Sequence, residues 1–141
     1  MCGRSGLKMA NRQIIVFFLE NKRYGVEIEN VNDIYEKMES VRVPNTDEFI
    51  DGIINLRGDV VTLINLKKRL KVDRVKEEEN IIICEMNKDK FGLTVDGIDG
   101  IIRLEKNENE TPTDSGFIKG FIEKDGKQII IIDLKKILTK N

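Results

Sequence analysis

The sequence has no histidine and no tryptophan, and its 141 residues include only two cysteines, Cys2 and Cys84. Histidine is the commonest general base and the commonest metal ligand, so its absence excludes most nucleophilic triads and most transition-metal sites. Two cysteines far apart in the chain cannot supply a zinc site, and we expect no metal and no cofactor. Cys84 lies in an apolar run and is interpreted as a small buried hydrophobe, without a structural disulfide.

Long apolar runs are also lacking. The longest pure run, residues 14–19, is far shorter than the roughly 20 apolar residues that a membrane helix needs. Charges nearly cancel, with 24 basic and 25 acidic residues and a net charge of −1. This balance indicates neither nucleic acid nor an anionic membrane as a partner. We therefore predict a cytoplasmic protein with no direct membrane insertion.

An internal repeat is the most informative feature that the sequence does have. Gly25 aligns with Gly92 at an offset of 67 residues, and the apolar residues around each glycine align with them. Residues 49–70 align with residues 117–138 at an offset of 68, and ten of these 22 positions are identical. Spacing kept over such a length indicates two copies of one structural unit.

Each repeat is predicted to be mostly β-structure. β-Branched and aromatic runs such as residues 14–19 end in polar turns, and residues 24–28 alternate as a half-buried strand does. Short helices are expected after the capping residues Asn65 and Asp133. About five short strands per repeat predict a mainly β chain of two tandem, pseudo-repeated five-stranded β-barrels with a few short helices.

The predicted domain organisation follows the repeats. Residues 1–12 are expected to be a flexible tail, and residues 13–141 a single domain with lobes at about 13–72 and 81–141. The charged stretch 73–80 is interpreted as a solvated linker, and residues 105–116 as a polar loop. The sequence leaves open the strand order within each barrel and whether a strand crosses from one barrel to the other.

Matched turns that differ between the repeats are candidates for function. The second repeat turns with ordinary polar residues at 123–126, whereas the first has Asn-Leu-Arg-Gly at 55–58. A leucine in a turn, Leu56, is poorly placed unless something covers it. Arg57 has a planar head with several donors, which suits a partner or an acidic neighbour. The alternative is that Arg57 bonds only to local carbonyl groups.

Two other classes of function have some support in the sequence. The basic residues within 67–71 could touch nucleic acid, but they recur only as Lys135-Lys136 and lack interleaved aromatics. A solvated helix face is therefore the preferred interpretation. An enzyme that uses paired carboxylates would be recognised by a buried Asp or Glu pair in a cleft.

The block at 49–61, FIDGIINLRGDVV, followed by LINL at 63–66, resembles the motif of CheW-type domains. The segments YGVEI at 24–28 and GLTVD at 92–96 add to the resemblance in the expected order and spacing. The likeness extends over residues 13–138, nearly the whole chain. Thr62 stands where the family usually has proline, Asn65 where it has aspartate, and Asp33 where a longer glutamate is more usual.

The resemblance implies a non-catalytic adaptor of chemotaxis signalling. Such a protein couples chemoreceptors to the histidine kinase CheA, from the cytoplasm, and is recruited to membrane receptor arrays. One barrel is expected to pair with the regulatory domain of CheA, and a groove between the barrels to receive the cytoplasmic tip of a chemoreceptor. The alternative is a β-barrel that binds nucleic acid or a small ligand.

Matching motif positions also implies the residues that contact these partners. The family block and its neighbouring strand give the main partner-binding candidates, Val31, Asp33, Leu56 and Arg57. Weaker candidates for the groove are Ile28, Val95 and Ile98. Val31 and Ile98 lie at the ends of matched strands, so they could belong to the core, which is the more common case, or line a groove between the lobes.

Overall fold

The structure, a computed structural model, describes residues 12–104 and 110–138; for residues 114 and 115 it describes the backbone only. Within these residues, eleven strands and two short helices follow one another. The strands are β1 (Arg12–Leu19), β2 (Lys22–Glu27), β3 (Val31–Glu36), β4 (Ile50–Leu56), β5 (Asp59–Asn65), β6 (Asn80–Met86), β7 (Asp89–Val95), β8 (Gly97–Leu104), β9 (Thr111–Ser115), β10 (Ile118–Lys124) and β11 (Lys127–Ile132). The helices are α1 (Leu66–Leu70) and α2 (Leu134–Leu138), and a 3-10 turn spans Ile28–Asn30.

The mainly β prediction is confirmed. The strands form two sheets, with the orders β8-β1-β2-β11-β10-β9 and β3-β6-β7-β5-β4. The two sheets fit the predicted pair of barrel lobes, although one has six strands rather than five. In the described residues no helix is long and apolar enough to cross a membrane. Of the predicted tail 1–12, only Arg12 is described, and it begins β1.

Four two-residue turns shape the hairpins β1–β2, β4–β5, β6–β7 and β10–β11. Both central residues of each turn have positive φ, as Arg57 (53°) and Gly58 (89°) illustrate. Turns with two positive φ values match the right-handed twist of the flanking strands, which is why they favour tight hairpins. Because each repeat has this turn at matching positions, the hairpin sequences of the two repeats align.

Parallel pairing combines hairpins from different repeats. β5 pairs in parallel with β7, and β11 pairs in parallel with β2. Two compact units result, which we call the central unit (Asn30–Ile98) and the terminal unit (described residues up to Glu29 and from Asp99 onward). The units therefore do not follow the repeat boundaries at 13–72 and 81–141, because each takes strands from both repeats.

The sixth strand of the larger sheet is β9, which pairs with the outer side of β10. The prediction of a loop at 105–116 was wrong for this part, while residues 105–109 lie outside the described residues. β9 tolerates Pro112 because an edge strand needs hydrogen bonds on one side only. In the central unit the corresponding place beside β4 holds a single bridge, in which Val41 exchanges two backbone hydrogen bonds of 2.9 Å with Ile53.

Each unit is closed around its own apolar core. In the central unit Tyr35 on β3 packs against the same cluster that contains Ile54 on β4. These strands are the two edges of the five-stranded sheet, so the sheet curls until both edges share one core. The terminal unit has an equivalent cluster, formed by Ile14, Val16, Leu104, Ile122, Ile129 and Ile131.

Gly25 and Gly92 occupy equivalent positions inside the two cores. A Cβ atom on Gly92 would lie 2.7 Å from Leu63 Cδ2 and 2.9 Å from Ile81 Cγ2. Real Cβ contacts are longer than this, so the side chains of neighbouring strands fill the space that a larger residue would need. The close approach explains why both repeats have a glycine directly after an aromatic residue.

Helix α1 carries a completely buried lysine. Lys67 Nζ lies 2.7 Å from Asp96 Oδ1 and 3.3 Å from Glu78 Oε2, and it donates a 2.8 Å hydrogen bond to the carbonyl of Lys76. Three partners match the three donors of an ammonium group, which is what makes its burial tolerable. Lys67 thus links α1 to the segment before β6 and to the residue that follows β7.

The interpretation of residues 73–80 as a solvated linker was wrong at Glu78, whose side chain is 2% exposed. Arg74 Nε bonds to Glu78 Oε2 at 2.8 Å. Burial by itself would raise the pKa of Glu78, but the hydrogen bond from Arg74, a backbone hydrogen bond and the charges of Arg74 and Lys67 lower it to about 2. Glu78 is therefore held as a carboxylate between two cations.

The solvated helix face expected at 67–71 was also wrong for two residues. Lys67 is fully buried, and Arg69 is 8% exposed. The guanidinium of Arg69 lies over the ring of Phe49, 4.2 Å from its centroid, which is a cation–π contact. These two charges are used inside the central unit and are not available to nucleic acid.

We expect Gly92→Ala to lower the free energy of unfolding by about 1–3 kcal/mol, because the added methyl group overpacks the core. Gly126→Asn is the control: Gly126 has φ +77°, no described atom lies within 4 Å of its Cβ position, and asparagine accepts positive φ. Urea denaturation of both variants checks this. Equal stability of the two variants would contradict the close approach at Gly92.

We expect Lys67→Met to destabilise the protein by about 3–5 kcal/mol, because it leaves Asp96 and Glu78 buried without their cation. Lys135 occupies the equivalent position in the second repeat and is exposed, so Lys135→Met should change stability by less than about 0.5 kcal/mol. The measurement is the midpoint of urea unfolding. Similar losses in both variants would show that the buried ion pairs are not the cause.

Candidate functional site

A concave surface of about 420 Å³ opens on the central unit. Strand β3 lines one side of it, the β4–β5 hairpin lines the other, and single residues of β6 and β7 complete it. Four predicted partner-binding residues meet here, although they come from two separate segments of the chain. The lining residues are Val31, Asn32, Asp33, Tyr35, Leu56, Arg57, Asp59, Val61, Ile83 and Lys90.

The floor of the concavity is apolar and its rim is charged. Tyr35 and Leu56 are half-buried and pack against the core, to which Val61 and Ile83 belong. Exposed charges of both signs stand around them, including Asp33 and Arg57. An apolar centre inside a polar rim is the usual anatomy of a surface that binds another protein.

A β-bulge shapes the β3 side. Val31 pairs with Cys84 and Asp33 pairs with Ile83, so Asn32 is an extra residue in β3. In a regular strand consecutive side chains point to opposite faces, whereas here three consecutive residues line one concavity. The Asp33 carboxylate accepts a 2.9 Å hydrogen bond from the Ile34 amide, which fixes its direction.

The Leu56-Arg57 turn shapes the opposite side. Arg57 has φ 53°, in the left-handed region, and the amide of Gly58 donates a 3.0 Å hydrogen bond to Asn55 Oδ1. This conformation costs about 1 kcal/mol for residues other than glycine, asparagine or aspartate. Within residues 12–104 and 110–138, the Arg57 guanidinium has no hydrogen-bond partner, which disfavours the alternative of local carbonyl bonds.

A preformed ion pair completes the rim beside Arg57. Lys90 Nζ lies 3.0 Å from Asp59 Oδ2, and this hydrogen bond is the main reason that the pKa of Lys90 is raised. β7 carries Lys90 and β5 carries Asp59, so the parallel pairing of these strands brings the two groups together. This ion pair connects the β4–β5 hairpin, which carries Arg57, to β7 at the centre of the sheet.

The weaker predicted residues lie elsewhere. Ile28 is half-buried in the 3-10 turn of the terminal unit, and Ile98 is half-buried at the start of β8. Val95 is completely buried at the end of β7. A side chain without exposed surface cannot touch a partner, so Val95 is a core residue and not a contact residue.

Sequence reasoning missed six lining residues: Asn32, Tyr35, Asp59, Val61, Ile83 and Lys90. Asn32 belongs to the site only because of the bulge, and no local sequence pattern predicts that bulge. Lys90 and Asp59 are neighbours only because β5 pairs with β7, and the strand order could not be predicted. Tyr35 had a usable signal, since it lies two residues after Asp33 and therefore on the same face of β3.

The described residues do not form the sites that would indicate a metalloprotein or an enzyme. Among the described residues, no cluster of histidine, cysteine, aspartate or glutamate could hold a metal ion. The buried carboxylates Glu78 and Asp96 both contact Lys67 and do not line the concavity. Burial raises the pKa of the Cys84 thiol to about 12, so the thiol stays protonated and unreactive.

Comparison with known proteins identifies the family. The family model of the CheW-like domain matches residues 13–141. The chain belongs to the CheW-like domain family. The chemotaxis protein CheW of Bacillus subtilis is 30% identical over 137 residues, covering 91% of this chain and 87% of that protein. CheW of Thermotoga maritima is 28% identical over 133 residues, covering 91% and 88%.

A solved structure agrees with this assignment. The crystal structure of the scaffolding protein TtCheW from Thermoanaerobacter tengcongensis superimposes with a TM-score of 0.86. It is 37% identical to this chain, and the match covers 93% of this chain and 94% of that one. Proteins of the CheW family are non-catalytic scaffolds and adaptors of chemotaxis, so this CheW-like chain is not an enzyme. The family resemblance predicted from the sequence is confirmed.

We expect Arg57→Asn to be as stable as the natural protein or more stable by up to about 1 kcal/mol, because asparagine tolerates the left-handed turn. Arg57→Val should instead be destabilised by about 1 kcal/mol, since a β-branched residue fits positive φ poorly. Urea unfolding of both variants measures this. If Arg57→Asn were clearly less stable, the arginine would have a structural role.

Proposed function

We propose that this chain couples chemoreceptors to the histidine kinase CheA, and that the concave surface of the central unit binds the regulatory domain of CheA. The observation that carries the proposal is the convergence of Val31, Asp33, Leu56 and Arg57 on that surface. The family resemblance marked these residues, and the fold brings them together from β3 and from the β4–β5 turn. Membership of a family of chemotaxis scaffolds supports the same role.

The surface suits a protein partner of definite chemistry. An apolar side chain of the partner would cover Leu56 and Tyr35, removing half-buried apolar area from water. A carboxylate of the partner would meet Arg57, whose planar head binds carboxylates with two parallel hydrogen bonds. A basic group would meet Asp33. This combination gives orientation as well as affinity, because apolar and charged contacts must be satisfied together.

Coupling then requires a second contact, with the cytoplasmic tip of a chemoreceptor. Ile28 and Ile98 remain the predicted residues for it. Holding the kinase and the receptor on one small protein raises their effective concentration, and a change in the receptor can bias the kinase through the shared adaptor. The chain acts in the cytoplasm and is recruited to receptor arrays by these contacts.

The experiment is co-sedimentation of the purified chain with receptor-containing membranes, with and without CheA, all from one organism. We expect a ternary complex that depends on this chain, together with receptor-dependent kinase activity. Binding to CheA alone would indicate an adaptor of another pathway. Binding to neither component would contradict the proposal.

We expect Arg57→Asn to weaken binding to the regulatory domain of CheA by about 10-fold to 100-fold, because it removes the hydrogen bonds that the guanidinium makes with a carboxylate of the partner. Asp125→Asn is the matched control, because Asp125 occupies the equivalent turn of the terminal unit with nearly the same φ, 54°. Isothermal titration with each variant gives the two affinities. Full affinity of Arg57→Asn would exclude Arg57 from the interface.

A further inference from the structure

Four polar side chains stand in a row across the sheet, which we call the polar row. Asn32 Nδ2 donates a 2.8 Å hydrogen bond to Glu85 Oε1, and Lys90 Nζ donates one of 3.0 Å to Asp59 Oδ2. Glu85 and Lys90 are directly opposite each other in the β6–β7 ladder. Successive members of the polar row lie on successive strands of the sheet, in the order β3, β6, β7 and β5.

The polar row extends from one half of the candidate binding surface to the other. At one end Asn32 lies between Val31 and Asp33, and at the other end Asp59 lies two residues after Arg57. Glu85 contacts the β3 half through Asn32. It does not line the concavity, yet it bonds to the bulge residue on one side and faces a rim lysine on the other.

The bulge is the part of this arrangement that most needs support. The extra residue of a bulge is left out of the regular ladder, so its backbone has more freedom than the rest of β3. The bond from the Asn32 amide to Glu85 ties that residue to the neighbouring strand. The carboxylate of Glu85 also acts on Lys90, since it adds to the effect of Asp59 in raising the pKa of Lys90.

We propose that Glu85 is a positioning residue for partner binding, which holds the β3 bulge so that Val31 and Asp33 face Leu56 and Arg57 in a fixed geometry. The proposal rests on the proposed function of the concavity. Glu85 acts through Asn32 and makes no contact with the partner. A binding surface held in place beforehand loses less conformational entropy on association, so its affinity is higher.

The test compares Glu85→Ala with Glu85→Gln in titrations against the purified regulatory domain of CheA. Alanine removes the acceptor for Asn32, and we expect affinity to fall about threefold to tenfold, the effect of one lost hydrogen bond. Glutamine keeps an acceptor oxygen, so it should restore affinity to within about twofold of the natural protein. Glu123→Ala, at an exposed position of β10 outside the rim, is the control and should bind normally.

Hydrogen exchange provides a readout that does not depend on the partner. In Glu85→Ala we expect faster exchange at the amides of residues 31–35, with an unchanged urea midpoint, because solvent-accessible hydrogen bonds of this kind contribute little to global stability. In Glu85→Gln the exchange should return to the natural rate.

The outcomes separate this proposal from the proposed function. Normal affinity in Glu85→Ala, combined with weak binding in Arg57→Asn, overturns the positioning role and leaves the binding surface in place. Equal losses in Glu85→Ala and Glu85→Gln overturn it as well, because the hydrogen bond would then not be what matters. Absence of CheA binding by the natural protein overturns both.

Discussion

Parallel pairing of β5 with β7 and of β11 with β2 is the interaction on which the other features of this fold depend. An isolated hairpin is marginally stable in water, and each parallel pair joins two hairpins into a sheet large enough to enclose a core. The same pairing puts Lys90 beside Asp59 at the rim of the concavity. It also packs α1 against β7, where Lys67 reaches Asp96. The buried ion pairs and the candidate site are thus consequences of one non-local contact.

Features set by short-range chemistry could be predicted from the sequence. Turn residues and alternation gave the hairpins, Asn65 was recognised as a helix cap, and its side chain does accept the Lys68 amide at 3.1 Å. The contrast between matched turns singled out Leu56 and Arg57, which the structure places on one concavity with Val31. Their contact with a partner remains a prediction. In each of these cases the residues that decide the structure are close together in the chain.

Features set by distant partners could not be predicted. Leu-Lys-Lys occurs at the start of both α1 and α2, yet Lys67 is buried and Lys135 is exposed. The difference comes from Asp96 and Glu78, which surround only Lys67, and nothing within the tripeptide reveals them. Val95 was misread for a similar reason, since its burial depends on how β7 sits within the sheet. The bulge at Asn32 likewise exists only relative to β6.

Because each unit combines hairpins from both repeats, the two units can complete their folding at different times during synthesis. The central unit needs no residue beyond Ile98, so it can close while the C-terminal part is still being synthesised. The β1–β2 hairpin precedes the central unit in the chain, whereas its partner strand β11 follows the central unit. Until then one edge of β2 stays open to other nascent chains. The β1–β2 hairpin therefore waits for its partner strand until the whole central unit has been synthesised.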